Sequence, residues 1–210
     1  MRLDQTALDV ATTYHGSLYR PENEHDACGV GMIAAIDGKR SNSILRHGLT
    51  SICRLSHRGA VDADEKTGDG AGVLTQLPYK LFRRELAKLD QQLYKDEDLG
   101  VGVIFFPHDN AYQQERARVI IEEVVEKRGI FLFGWRDVPI NTHVLGTKAA
   151  STLPQIEHVM LGRPAGMGAE EFERRLFLAR NQIEKIAAQD GIKNFYIPSF
   201  HPALFLTKVC

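Results

Sequence analysis

Apolar residues along this chain switch repeatedly between strand-like and helical spacing. Residues 28–36 are small and apolar at consecutive positions, the pattern of a strand covered on both faces. Asp37-Gly38 follows as a turn. Between Ser41 and His57, Leu45, Leu49 and Ile52 recur at helical spacing. A Gly- and Asp-rich stretch from His57 to Gly72 predicts a long loop entering a strand at Val73–Leu77. Pro78 suits the first turn of a helix over 79–89. Leu99–Phe106 predicts a strand with Val101, Val103 and Phe105 on one face. Ala117, Ile120, Ile121, Val124 and Val125 mark a helix stopped at Gly129. Strands are predicted at Ile130–Val138, at Ile156–Leu161 and from Phe195. Phe172, Leu176, Ala179, Ile183 and Ile186 mark a last helix that ends near Gly191. Strands and helices mix without repeats or a clear linker, which points to one α+β or layered α/β domain. Residues 1–27 lack this periodicity and read as a poorly structured leader.

Composition narrows the function classes. The 210 residues are 43% hydrophobic and carry a formal net charge of -1, so charge gives no reason to expect nucleic acid or an anionic membrane as partner. No apolar run approaches the ~20 residues that span a bilayer. Residues 1–27 lack a basic start followed by an apolar core, so they do not read as a signal peptide or a mitochondrial presequence. Three cysteines, Cys28, Cys53 and Cys210, have no metal-ligand spacing, and this sparse odd set suggests a reducing cytoplasm.

Cys28 opens the run Cys28-Gly29-Val30-Gly31 directly after the acidic segment Glu22 to Ala27. Left internal, it reads as a small buried hydrophobe. Exposed as a new N-terminus by cleavage of the Ala27–Cys28 bond, it carries both a nucleophile and its base. A cysteine thiol has a pKa of about 8.5, and an α-amine of roughly 7.7–8.0 can take its proton near working pH. Gly29 and Gly31 would then leave room for a substrate along the strand.

Cys28-Gly29-Val30-Gly31, followed about thirty residues on by His57-Arg58-Gly59-Ala60, resembles the class II glutamine amidotransferases. Ala63-Asp64-Glu65-Lys66-Thr67-Gly68-Asp69-Gly70-Ala71-Gly72 narrows the resemblance to the large subunit of glutamate synthase. Gly134-Trp135-Arg136-Asp137-Val138-Pro139 and Phe172-Glu173-Arg174-Arg175-Leu176-Phe177-Leu178-Ala179-Arg180 are similar to the same family and stand in the same order. The resemblance runs from about residue 19 to residue 200. It implies a mature chain starting at Cys28 and the four-layer αββα sandwich of N-terminal nucleophile hydrolases. It also implies a γ-glutamyl thioester on Cys28 formed from L-glutamine, with Arg58 lining the glutamine pocket. The ammonia released would aminate 2-oxoglutarate at an FMN site served by an iron–sulfur cluster, both in other parts of a larger enzyme. The alternative within the class is an amidophosphoribosyltransferase-like enzyme. Thr67-Gly68-Asp69-Gly70 and the Trp135 stretch speak against it.

The chain departs from the family pattern in two ways. The segments that would supply the oxyanion hole and the arginine for the glutamine carboxylate are not found, and losing one oxyanion donor typically costs ~100–1000-fold in rate. The sandwich is therefore expected to be incomplete at its C-terminus, and these residues alone to be inactive. Residues 201–210 do not resemble the family. One base restored after the Phe200 codon lets synonymous codons read Phe-Ser-Ser-Arg-Thr-Val-Phe-Asp-Lys-Gly-Met, close to the family sequence. A frameshifted tail at 201–210 is therefore expected, which makes a non-catalytic remnant the reading to set against the enzyme.

Other residues read as structural. Asp69 and its glycines lack the lysine of a phosphate-binding loop and form a turn. His57 and Cys53 have no further ligands at zinc spacing, and Cys53 lies on a helical apolar face as an inert thiol. Trp135 reads as a core or rim aromatic, and Arg83-Arg84 and Arg174-Arg175 as solvated helix faces. Sequencing the DNA that follows codon 200 checks the frameshift: the shifted family sequence is expected there, and an in-frame stop upstream of it would sink the idea.

Overall fold

A four-stranded antiparallel sheet with helices on one face organises the chain from residue 99 onward. The structure is a computed structural model that describes residues 29–55, 59–68 and 70–208. Cys28, His57, Arg58, Asp69 and the leader 1–27 lie outside the described residues. The chain divides into two units, Met1–Met32 and Ile33–Cys210, and the architecture here is that of the second. Its elements run α1 (Asn42–Arg54), β1 (Gly72–Gln76), α2 (Tyr79–Ala87), β2 (Leu99–Phe106), α3 (Ala111–Lys127) and β3 (Phe131–Asp137). They continue with α4 (Thr147–Ser151), β4 (Gln155–Gly162), α5 (Ala169–Gln189), β5 (Tyr196–His201) and β6 (Leu204–Lys208). The strands order as β3-β4-β2-β5 in one sheet and β1-β6 in a two-stranded ribbon, all antiparallel. The fold is a mixed α+β arrangement.

Strand β2 is central, and all eight of its residues are buried. Its alternation sends Val101, Val103 and Phe105 to one core and Ile104 and Phe106 to the other. The first core packs that face against Phe82 and Leu86 of α2 and Phe205 of β6. The second packs α3, through Ile120, Ile121 and Val124, and α5, through Phe172, Leu176 and Ile183, onto the opposite face. Asn110 caps α3 by accepting from the Gln113 N–H at 3.0 Å. Both long helices stop at a glycine with positive φ, Gly129 (63°) and Gly191 (71°). In each case the next residue, Ile130 or Ile192, turns back into the core and donates to the carbonyl five residues earlier.

Helix α5 and strand β5 come close to β2 because β2 carries glycines on that side. A Cβ on Gly102 would lie 2.4 Å from the Phe200 ring and 2.6 Å from Val159. A Cβ on Gly100 would meet Leu176 and Phe172 at 3.0 and 3.1 Å.

The predicted strand at 28–36 is corrected for its described part. Residues 29–36 form no strand, and Val30, Met32 and Ile36 are exposed. Small apolar residues suit a doubly covered strand, but a strand needs a ladder partner, and no described strand runs beside this one. α1 forms with its apolar stripe, yet none of its residues is buried. The other predicted elements match within two residues or so at most ends. Two went unpredicted, the short α4 and β6.

β6 lies in the tail at 201–210. It pairs with β1 from Gly72↔Lys208 to Gln76↔Leu204. The turn before it is closed by the His201 ring, whose Nδ1 accepts from the N–H groups of Ala203 (2.9 Å) and Leu204 (3.2 Å). Phe205 is 7% exposed and meets Phe82 edge-on at 5.5 Å between ring centroids. Burying such a ring contributes about 1.5–3 kcal/mol.

Gly102→Ala is expected to lower stability by about 1–3 kcal/mol through overpacking against Phe200 and Val159. Urea unfolding measures it through a lower midpoint at unchanged slope.

Candidate functional site

Of the sequence-predicted site residues, Cys28 and Arg58 lie outside the described residues. What the structure does describe is the loop that follows Arg58 and carries the Ala63–Gly72 stretch. Val61 and Gly68 bridge antiparallel, and the Asp62 N–H donates to the Thr67 carbonyl at 2.7 Å. The turn between them closes with the Glu65 N–H on the Asp62 carbonyl at 2.9 Å, and Glu65 adopts a φ of 56°. Gly72 then begins β1, not a helix. A phosphate loop presents backbone N–H groups at a helix N-terminus, so the turn reading holds for the described part of this stretch.

Asp64 organises the loop. Its Oδ1 accepts from the N–H groups of Lys66 (3.0 Å) and Thr67 (2.6 Å), and its Oδ2 accepts from the Thr67 hydroxyl at 2.5 Å. The same Oδ2 reaches the first residues of α4, the Thr147 hydroxyl at 3.5 Å and the Lys148 N–H at 3.4 Å. Thr67 Oγ1 accepts in turn from the Ala149 N–H at 3.2 Å, and Lys148 Nζ pairs with Asp62. The Thr67 hydroxyl and then the Thr67 N–H hold the Asp64 carboxyl far below the usual carboxylate range. The Lys148 ammonium lowers the Asp62 carboxyl and is itself raised by it.

This clasp requires Gly146. A Cβ there would lie 2.2 Å from Asp64 Oδ2 and 2.3 Å from Thr67 Oγ1. The loop motif and the Gly146-Thr147-Lys148 step thus form one unit across some eighty residues of chain. Sequence reasoning singled out the motif but not its partner, because nothing in local spacing links the two.

The other expected residues are placed as follows. Cys53 is exposed on α1 and not packed. Trp135 sits at the rim of the core under α3, with its Nε1–H donating to Glu122 at 2.8 Å. Arg83 pairs with Asp96, and Arg174 and Arg175 both pair with Glu171. Arg136, from the same stretch as Trp135, is turned inward instead. Among the described residues no three His, Cys, Asp or Glu side chains converge to hold a metal, and no helix is long and apolar enough to cross a membrane.

Comparison with known proteins supplies the identity that this geometry alone does not. Residues 28–209 match the family described as class-II glutamine amidotransferases. The chain belongs to that family. This amidotransferase sequence is 42% identical over 207 residues to a glutamate synthase [NADPH] large chain of Azospirillum brasilense, covering 99% of this chain and 13% of that protein. It is 38% identical over 194 residues to the corresponding large chain of Bacillus subtilis, covering 91% of this chain and 12% of that one. It is also 38% identical over 177 residues to a ferredoxin-dependent glutamate synthase 2 of Synechocystis, covering 84% and 11%. The amidotransferase chain therefore spans only about an eighth of the curated relatives it matches.

Gly146→Ala is expected to expel the Asp64 carboxylate and cost about 1–3 kcal/mol. Limited proteolysis should show faster cutting within residues 59–68, in Gly146→Ala and in Asp64→Ala alike, while the sheet stays protected.

Proposed function

We propose that this chain is the glutaminase part of a glutamate synthase, with Cys28 as nucleophile. The family match that starts at residue 28 carries the reading, since it places a cysteine at the first matched position. After cleavage of the Ala27–Cys28 bond, the α-amine takes the thiol proton and the sulfur attacks the side-chain amide of L-glutamine. Collapse of the adduct breaks the C–N bond, and the amine's proton leaves with ammonia. A γ-glutamyl thioester remains, and water, deprotonated by the same amine, releases glutamate and restores the thiol. Arg58 binds the glutamine in this scheme.

The fold reading that goes with it is the αββα sandwich. Support comes from the layer order: α1 lies along β1 near Val73, the β1-β6 ribbon joins β5 through the Leu206 N–H on Ser199 Oγ (3.4 Å), and α3 and α5 cover the far side. The ammonia would feed glutamate formation from 2-oxoglutarate in a larger enzyme of the reducing cytoplasm. In this reading the FMN and the iron–sulfur cluster would be held by other parts of that larger enzyme; among the described residues no three His, Cys, Asp or Glu side chains converge as cluster ligands.

A non-catalytic remnant is the second reading. It is favoured by the unpaired, exposed run next to Cys28, with Val30 and Met32 both solvated.

The 210 residues assayed alone are expected to release glutamate only at background. The decisive measurement places residues 1–200 in the corresponding part of the Azospirillum protein. Glutaminase activity is expected in the chimera, with a mass for the mature chain that begins at Cys28. Cys28→Ala should lower the rate roughly a thousandfold or more. Retained activity in that variant, or a folded but inactive chimera, refutes the catalytic reading.

A further inference from the structure

Each face of the four-stranded sheet meets a half-buried arginine, and the two are neutralised differently. On the α3 side, Arg118 makes a two-toothed contact with Glu157: Nε donates to Oε2 at 3.1 Å, and Nη2 donates to Oε1. Gln155 Nε2 adds a bond to Oε1 at 2.6 Å, and the Arg118 guanidinium lies over the Phe106 ring. On the α2 side, Arg136 has a poorer seat. Its Nε is 3.5 Å from Glu85 Oε2 without hydrogen-bond geometry, and it is buried with no hydrogen-bond partner. Glu85 is drawn away by Lys88 at 2.7 Å and Arg84 at 3.3 Å.

His158 completes this second group. It lies directly across the ladder from Arg136 on β3 and from Val103 on β2. Arg136 Nη1 stands 3.2 Å from its Nδ1, so the imidazole accepts there. Phe82 of α2 covers it at 5.7 Å between ring centroids, and Phe205 of β6 covers it edge-on at 5.0 Å. The groups facing it are therefore Arg136 from β3, Phe82 from α2, Val103 from β2 and Phe205 from β6, and Glu85 of α2 reaches it through Arg136. It is 4% exposed.

We propose that His158, Arg136 and Glu85 form an acid-sensitive latch, which holds α2 and β6 on the sheet and opens when His158 gains a proton. A proton on Nδ1 would replace an accepted hydrogen bond by two donors and two positive charges facing each other, shared by one half-engaged carboxylate. The imidazole cannot leave without displacing Phe82 or Phe205. β6 is the weaker of these walls, because its backbone ladder is with β1 and it is seated on the sheet by Phe205 and by the single Leu206 N–H bond to Ser199 Oγ. The α3–α5 side has its own core and its own satisfied ion pair, and stays closed.

The sign is set by which state binds the proton. Burial, and secondarily the Arg136 charge, push His158 from its ordinary value of 6.5 down to about 3. The open state then takes up the proton between those limits. The latch is fully closed above about pH 6.5 and weakens as pH falls toward 3. Opening linked to one proton grows about tenfold per pH unit below 6.5, so roughly thirtyfold by pH 5.

Hydrogen exchange of the full chain between pH 8 and 5, corrected for intrinsic rates, tests this. Exchange in residues 79–87 and 204–208 should rise about thirtyfold, while α3, α5 and the fluorescence of Trp135 on the opposite face hold steady. His158→Leu should abolish the rise, and Arg136→Gln should reduce it. His201, in the turn before β6, is the competing histidine, so His201→Asn should leave the rise in place. A rise that persists in His158→Leu, disappears in His201→Asn, or comes with equal loss of α3, α5 and Trp135 overturns the latch. Should His158→Leu not fold, the His158 ring resonance in the unmodified chain decides. Titration of that ring above pH 6 with α2 and β6 still protected also overturns it.

Discussion

Everything in the described domain depends on β2 being buried on both faces and both edges. It pairs with β4 and β5 and carries one core on each side. Such a strand tolerates no side chain where a neighbour's ring already lies, and Gly102 beneath Phe200 is the tightest case. Close approach of β5 sets the position of α5, and α5 with α3 closes the second core. The first core is more mixed in origin. It draws on α2, on the loop residue Leu93 and on Phe205 from β6, so it joins segments more than a hundred residues apart in sequence.

The sheet and its two long helices were legible in the chain. β2 was found with its bounds because Val101, Val103 and Phe105 alternate with glycines and bulky residues over eight positions. α3 and α5 were legible because each pairs a clean apolar stripe with a stopping glycine. The segment 29–36 misled for a physical reason: composition reports what a strand could bury, not whether a ladder partner exists. β6 escaped because the expectation of a frameshifted tail left residues 201–210 without an element, although the family match extends to residue 209 and Phe205 and Thr207 favour a strand.

The functional reading was legible in a different sense. Motif order pointed to the amidotransferase family, and the match over residues 28–209 places the chain in it. The clasp of Asp64 and Thr67 against Gly146 was not legible. It is a contact at long sequence separation, made of exposed polar residues that carry no periodic signature. The inward placement of His158 and Arg136 was equally hidden, since residue type within a predicted strand does not say which face of the sheet will be covered. Such inward polar residues only become visible once the sheet's two sides have been assigned.

Strand β4 places Glu157 and His158 side by side in sequence and on opposite sides of the sheet. Arg118 waits on one side and Arg136 on the other. Moving β4 by a single residue would carry the carboxylate away from Arg118 and bring the imidazole to it, so a half-buried guanidinium would lose its two-toothed partner. The neighbouring apolar residues, Ile156, Val159, Met160 and Leu161, could exchange sides at far smaller cost. This adjacent polar pair therefore acts as an alignment key for the central strands. It rejects the misthreaded sheets that hydrophobic packing alone would tolerate.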